Sequence, residues 1–530
     1  MSGRVHRSVM NIKVGMLFYV LSLFLSFFSR KIFLDCLSAE FIGLTGTLQD
    51  ILSFLNVAEL GIGTSIIYFL YKPIQENNHE RINEIVSILA YLYTLIGYGI
   101  GFTGIIISLS FPFIFSNQPI SLLLIYFTFF AFIATSMAGY IFNYKQLLVT
   151  ADQKQYLVTG YFQTISIVQS LVQILLAYYY KNLYLWVSVG LLFTIIGCLI
   201  FNYRISKIYP WLRIDLKHGR KLLKDYPDIL KKTRQVFVQK MKNFILYRSD
   251  QILIFFFTSL KMVAYYGNYM IIINKLNVMV NIITDGVGAA VGNIVAENDK
   301  KNIIKVFWEL TATRFLITGA IIFGLIMFIQ PFIVCWLGEE YQLNNLIVYL
   351  LLFNLFLMLS RGIVEGYIAS YGLFSDVWAA WAELATNLAV TLLLAPFWGI
   401  VGILLGKIIS IFFIAIFWKP YFLFSKGMQL KVSVYWRGMM PYYIIFGIFT
   451  LLSVYTNYAL LTPQIHSFGQ LIYYGILIYP LFMLSFFITM FIFTTGTRYF
   501  VARKPQLYHK IVSIKDFLTI SNKTNNNYSI

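Results

Sequence analysis

Charged side chains are scarce in this chain. Only 12% of its 530 residues are Asp, Glu, Lys or Arg, and 59% are hydrophobic. A water-soluble domain carries about 25% charged residues. The deficit runs the whole length, which excludes a large soluble domain. Cysteine is rarer still. Cys36, Cys198 and Cys335 are odd in number and far apart, so neither a disulfide framework nor a metal site follows from them. The five histidines, His6, His79, His218, His466 and His509, include no two at ligand spacing. Alternation of apolar and polar residues is also missing, and this excludes a membrane β-barrel, whose strands alternate lipid-facing and lumen-facing side chains.

What is present is a series of continuously apolar runs of about 20 residues, long enough to cross about 30 Å of hydrocarbon. Fourteen spans are expected, at 14–34, 41–71, 84–114, 121–144, 157–179, 183–203, 235–258, 263–295, 306–333, 345–370, 377–397, 399–418, 439–459 and 469–494. The fold class is therefore all-α, a polytopic membrane protein. The first run follows Arg4, Arg7 and Lys13 and leads into Arg30-Lys31-Ile32-Phe33 without a small-residue cleavage site. It reads as a retained helix rather than a signal peptide.

Placing the N-terminus in the cytoplasm puts thirty of the 41 Lys and Arg on inner segments and only four, Arg30, Lys31, Lys181 and Lys261, on the outer side. Cytoplasmic loops are enriched in these residues, so both termini are expected in the cytoplasm. The net charge of +19 is then mainly a topology signal. Short basic loops separated by membrane do not suit nucleic acid. The longest connection, 204–234, holds Lys217, His218, Arg220, Lys221, Lys224, Lys231, Lys232 and Arg234, with Leu222, Leu223, Tyr226, Ile229 and Leu230 at helical spacing. An amphipathic helix lying on the inner leaflet is expected, drawn to anionic lipid by about 1 kcal/mol per basic residue. The same segment also joins two halves. The organisation read from the chain is a first six-helix lobe (1–203), the basic linker (204–234), a second six-helix lobe (235–418), two extra helices (439–494) and a cytoplasmic tail (495–530).

A shift of 225 positions aligns the second span with the eighth. Gln49 falls on Asn274, Asn56 on Asn281, Gly61 on Gly286 and Gly63 on Gly288. Each half has an even number of helices, so both copies share one orientation, and a site at the interface of such repeats is a recurrent transporter design. The Gly-x-Gly pairs allow close packing or a bend beside a cavity.

Charge inside a membrane is costly and faces a cavity or a partner. The cations within spans are Lys240, Lys242, Arg248, Lys275, Arg314, Arg361 and Lys407, all in the second half. Lys240 and Lys242 are placed to snorkel. Arg248 lies near Asp250, and Arg361 stands four residues before Glu365, so each is also a candidate structural pair. Asn274, Asn277, Asn281 and Asp285 form one polar stripe on the eighth span, and the second span carries Gln49, Asp50, Ser53, Asn56 and Glu59. A polar, cationic cavity built from these suits sugar hydroxyls and pyrophosphate, whose oxygens pair well with Arg and Lys. Arg248, Lys275, Arg314, Arg361, Asn274, Asn277 and Asn281 are the candidate substrate-binding residues. Asp50, Glu59, Asp250, Asp285 and Glu365 are candidates for charge balance or ion coupling.

Phe41-Ile-Gly-Leu-Thr-Gly46, Asn56-Val-Ala-Glu-Leu-Gly-Ile-Gly63 and Ile67-Tyr-Phe-Leu-Tyr-Lys-Pro73 resemble the N-terminal signature of the polysaccharide-biosynthesis, Wzx-type flippases. So do Asp152-Gln-Lys-Gln-Tyr156, Asp250-Gln-Ile-Leu-Ile254 and Tyr266-Gly-Asn-Tyr269. The resemblance covers most of the chain. It implies membership of the multidrug/oligosaccharidyl-lipid/polysaccharide exporter superfamily, with two six-helix lobes, a cationic central cavity and alternating access. It implies a transporter rather than an enzyme, moving undecaprenyl-pyrophosphate-linked oligosaccharide for O-antigen of lipopolysaccharide, capsule or another surface polysaccharide. The implied partners are that lipid-linked substrate, membrane lipids and the polysaccharide polymerase machinery. No cofactor or metal is implied beyond a coupling ion, H+ or Na+. In relatives that flip the peptidoglycan precursor, first-lobe arginines help hold the pyrophosphate, whereas the first lobe here offers only Arg30 and Lys31. Two other readings stay open, a multidrug antiporter of the same superfamily and a membrane-embedded glycosyltransferase or polymerase. The first needs an acidic, aromatic cavity. The second needs a sizeable outer loop, and the longest expected here is Val334–Asn344.

Overall fold

The computed structural model describes residues 2–59, 61–297, 299–373, 376–461 and 465–503; side chains of 1–9, 238–240, 242–248, 281–290 and some single positions lie outside the described set. Among the described residues every regular element is a helix. By internal packing the chain divides into Met1–Lys275 with Leu392–Ile403, and Leu276–Thr391 with Leu404–Ile530. The sequence-based halves, 1–203 and 235–418, express a proposed duplication rather than this packing.

The first unit runs through α1 (Ser2–Leu37), α2 (Ala39–Leu55), a 3-10 turn at Asn56–Glu59, α3 (Ile62–Gln75), α4 (His79–Ser108), α5 (Phe111–Ile114), α6 (Leu122–Asn143) and α7 (Gln146–Ala151). It continues through α8 (Gln155–Tyr180), α9 (Leu183–Ile208), α10 (Leu216–Leu222), α11 (Pro227–Arg248), α12 (Asp250–Phe257) and the start of α13 (Leu260–Glu297). Several helices begin at local caps. The side chains of Ser38, Asn78, Ser121, Asn182 and Asp215 each accept a bond from a backbone N–H two or three residues on, satisfying donors that the first turn leaves open. Ile66, Leu70, Ile85, Leu89, Tyr93, Val149 and Phe201 form the core that joins α3, α4, α7 and α9.

The second unit takes up the end of α13, then α14 (Lys300–Leu337), α15 (Asn345–Ser360), α16 (Gly362–Ser370), and α17 (Val377–Trp398) and α18 (Ile400–Ile411) apart from Leu392–Ile403, which belongs to the first unit. A π-helical stretch at Phe412–Trp418 precedes α19 (Lys419–Phe422), α20 (Val432–Thr456), α21 (Phe468–Leu477), α22 (Tyr479–Phe493) and α23 (Thr495–Ala502). Helix α14 is the hub, packed on α15, α20, α21 and α23. Its aromatic residues mesh with α20 and α22: Trp308 stacks on Tyr442 at 6.2 Å, and Phe323 meets Phe446 at 4.9 Å and Phe486 at 5.0 Å. Arg503 beyond α23 pairs with the buried Glu309 of α14.

Eleven helices among the described residues are long and apolar enough to cross a membrane. They correspond to eleven of the fourteen expected spans. The other three carry most of the polar residues singled out above. The second span is broken into α2, the 3-10 turn and α3; the seventh is interrupted at Ser249, between α11 and α12; the eighth is the polar α13. The two copies of the repeat therefore differ. Gly61 adopts φ 105°, and a Cβ there would stand 2.6 Å from the Thr233 carbonyl oxygen of α11. Only glycine tolerates that backbone and that approach. The aligned Gly286 lies inside an unbroken helix.

The basic linker also departs from expectation. The expected stripe is divided, with Leu222 ending α10, Leu223 and Tyr226 between the helices, and Ile229 and Leu230 in α11; Gly219 and Leu222 are buried and α10 packs on α4. The apolar stripe is covered by protein rather than left for lipid.

Candidate functional site

The broken second span is held by side chains from other helices. Glu59 accepts bonds from Tyr93 Oη of α4 at 2.8 Å and Tyr140 Oη of α6 at 2.7 Å. The two rings meet edge to face at 5.4 Å. Asn56 Oδ1 accepts from Ser136 Oγ at 2.9 Å. The carboxylate thus fixes the break to two unbroken helices. Asp50 and Asp250 are both buried. Asp50 accepts the Gln251 backbone N–H at 3.3 Å, and Asp250 accepts Tyr266 Oη at 2.7 Å. These bonds join α2, α12 and α13. Lys275 is half-buried on α13, with Nζ donating to Ser22 Oγ of α1 at 3.2 Å and lying 5.7 Å from the Tyr19 ring. Arg30 donates to Asn268 Oδ1 at 2.6 Å and to the Ala264 carbonyl at 2.9 Å.

The second unit brings together two of the expected cations. Arg314 of α14 is buried and donates from Nε to the Leu359 carbonyl at 2.7 Å. Its guanidinium sits over Gly362, where a Cβ would come within 2.9 Å, and it is attracted by Glu365. Arg361, at the junction of α15 and α16, lies between Glu365 at 3.4 Å and Glu383 of α17 at 3.4 Å. Glu365 is 42% exposed and Glu383 only 1%. On the same helices a groove of about 630 Å³ is lined by Ile322, Phe353, Phe356, Leu357, Tyr443 and Phe446, among others. Leu357 belongs to this lining and stands two residues before the carbonyl that holds Arg314. The same unit thus carries both the charged cluster and an aromatic trough, and neither arginine is among the trough's lining residues.

Among the expected binding residues, Arg314 and Arg361 share a cluster, while Lys275 belongs to the other unit. Asn274 is exposed and Asn277 half-buried on α13. Arg248, Asn281 and Asp285 have side chains outside the described residues, as do Lys240 and Lys242. Glu365 pairs with Arg361 as its spacing suggests. Sequence reasoning passed over Glu383, Tyr93 and Tyr140. Glu383 is the sole acid in the run 377–398, and the cost of charge in a membrane is a signal that marks it. The tyrosines carried no signal, because tyrosine is common throughout this chain. Among the described residues no group of three His, Cys, Asp or Glu is placed to hold a metal.

No protein-family model matches the chain, and no curated protein is similar to it in sequence. Solved structures do share its fold. A lipid II flippase MurJ in an inward closed conformation superposes with a TM-score of 0.62 at 16% identity, covering 90% of this chain and 99% of that one. An inward-facing multidrug resistance MATE family transporter of the MOP superfamily superposes with a TM-score of 0.51 at 13% identity, covering 78% and 97%. The chain has the all-helical membrane fold of these proteins.

Proposed function

We propose that this protein is a flippase of the bacterial inner membrane. It carries an undecaprenyl-pyrophosphate-linked oligosaccharide from the cytoplasmic to the outer leaflet by alternating access. The observation that carries the reading is that one unit holds both an arginine cluster, with Arg314 buried and the Arg361 side chain 10% exposed, and an aromatic groove. An anionic headgroup on a long apolar chain has these two needs. Phosphate oxygens form strong charge-assisted bonds with guanidinium groups, and a prenyl chain already in the bilayer is held by an apolar groove through van der Waals packing.

Glu365 and Glu383 balance the two arginines in the resting protein. Glu365, partly exposed and 3.4 Å from Arg361, is the partner that an arriving phosphate displaces first. Asn274 and Asn277 leave their amides without a side-chain hydrogen bond among the described residues. An amide at mid-membrane depth must meet water or substrate rather than lipid, and sugar hydroxyls satisfy it. Lys275 adds a cation to that stretch of α13, and Arg248, Asn281 and Asp285 are assigned to the same pathway. Asp50, Glu59 and Asp250 are assigned to charge balance or to coupling with H+ or Na+. Likeness to lipid-flipping and drug-exporting folds supports a transporter, and the arginines favour an anionic cargo over a cationic drug.

The test is a deletion strain. Lipid-linked oligosaccharide should accumulate on the cytoplasmic face, and its glycan composition identifies the cargo. The wild-type gene restores surface polysaccharide, and R314Q/R361Q does not. Unchanged lipid-linked intermediates combined with lost efflux of cationic dyes would move the assignment to the multidrug antiporter.

A further inference from the structure

The basic segment between α9 and α11 is a folded cap. Ile205, Tyr209, Leu222 and Ile229 are buried in the core of the first unit, and Trp211 stacks on His79 at 3.9 Å. Tyr226 Oη donates to Glu84 at 2.5 Å. Gly219 lies so close to the Ser87 carbonyl of α4 that a Cβ would overlap it. With its apolar stripe so used, α10 presents the opposite face. Lys217, Arg220 and Lys221 occupy that face at spacings of 3 and 1, as on one side of an α-helix, Lys224 follows in the turn after α10, and all four are exposed. All ten Lys and Arg of 204–234 are exposed, and none forms an ion pair among the described residues. Three acids accompany them, Asp215, Asp225 and Asp228. Asp215 is engaged by the Lys217 and His218 backbone N–H groups.

We infer that this stripe is a binding site for anionic phospholipid headgroups, formed by the protein surface rather than by an inserted helix. Depth favours lipid over a cytosolic partner. Ser87 lies eight residues beyond His79, the first residue of the membrane-crossing helix α4, about 12 Å along its axis. The docked α10 is therefore level with the end of the hydrocarbon, where phosphates lie. Trp211 and Tyr226 are residue types enriched at that level. Leu216 and Leu230, each 45% exposed, flank the stripe with apolar surface. Four unpaired cations on a rigid support lose little freedom when phosphates pair with them. The inference is independent of the cargo assigned above.

The test uses the full-length protein in nanodiscs of phosphatidylcholine with graded phosphatidylglycerol or cardiolipin, and counts retained lipids by native mass spectrometry. Wild type should retain the anionic lipids over phosphatidylcholine. K217Q/R220Q/K221Q/K224Q should lose at least tenfold of that preference with unchanged thermal stability, because the four side chains are exposed. K300Q/K301Q, which removes exposed cations elsewhere, should retain it. Inorganic phosphate at millimolar concentration should not displace the lipid; displacement would overturn a lipid site in favour of a free-anion site. Equal retention by wild type and the fourfold variant would overturn the inference, as would indifference of wild type to headgroup charge, which leaves the stripe to an acidic protein.

Discussion

Replacing Arg361 with Gln should destabilise the protein strongly, and replacing Glu383 as well should restore most of the loss. The two side chains are 10% and 1% exposed and lie 3.4 Å apart. At an effective dielectric constant near 20, unit charges at that distance attract by about 5 kcal/mol before desolvation is subtracted. Removing one member of a buried pair costs about 3–5 kcal/mol, because the other charge stays buried without it, whereas removing both is close to neutral. R361Q should therefore lose about 3–5 kcal/mol, and R361Q/E383Q should recover most of that. The Glu365 pair has the same length, but Glu365 is 42% exposed, so E365Q should cost about 0–1 kcal/mol. Unfolding of detergent-solubilised variants by denaturant measures all four proteins in one cycle. Additive effects of R361Q and E383Q, with no coupling between them, would refute the reasoning.

Glu59→Ala removes the acceptor for both Tyr93 and Tyr140. It should cost about 1.5–3 kcal/mol for each charged-group hydrogen bond lost; Glu59→Gln, which keeps one acceptor oxygen, should cost less, as read by the same unfolding measurement. The Asp215 carboxyl is held below its ordinary value of 3.8 by the backbone N–H groups of His218 and Lys217. The capped α10 is thus fully supported above about pH 4 and loses that support as pH falls through the lowered value. Hydrogen exchange of the amides at 217–222 should quicken on acidification in wild type, and in Asp215→Asn this response should vanish.

The apolar spans were legible because each is written in consecutive residues. The three that depart from a simple span were not, and their physics is non-local. The break after Leu55 depends on Glu59 finding Tyr93 and Tyr140, 34 and 81 residues away. The second copy of the repeat has Thr284 in place of Glu59, offering no carboxylate for such an anchor, and its helix runs on. The apolar residues read as one stripe at 222–230 are divided between the end of α10, a turn and α11. An apolar stripe fits lipid and protein equally well, and only the fold shows that α4 covers α10. The Arg361–Glu365 pair was visible in its spacing, while Glu383 reaches Arg361 across 22 residues.

The central claim is that buried arginines hold the phosphates of a lipid-linked glycan. Its most direct measurement is binding to the purified protein in nanodiscs of one oligosaccharide carried on undecaprenyl pyrophosphate and on an uncharged undecaprenyl ether. The account predicts that the pyrophosphate form binds at least tenfold more tightly and that R314Q/R361Q abolishes the difference. Equal affinity of wild type for the charged and uncharged forms would contradict it.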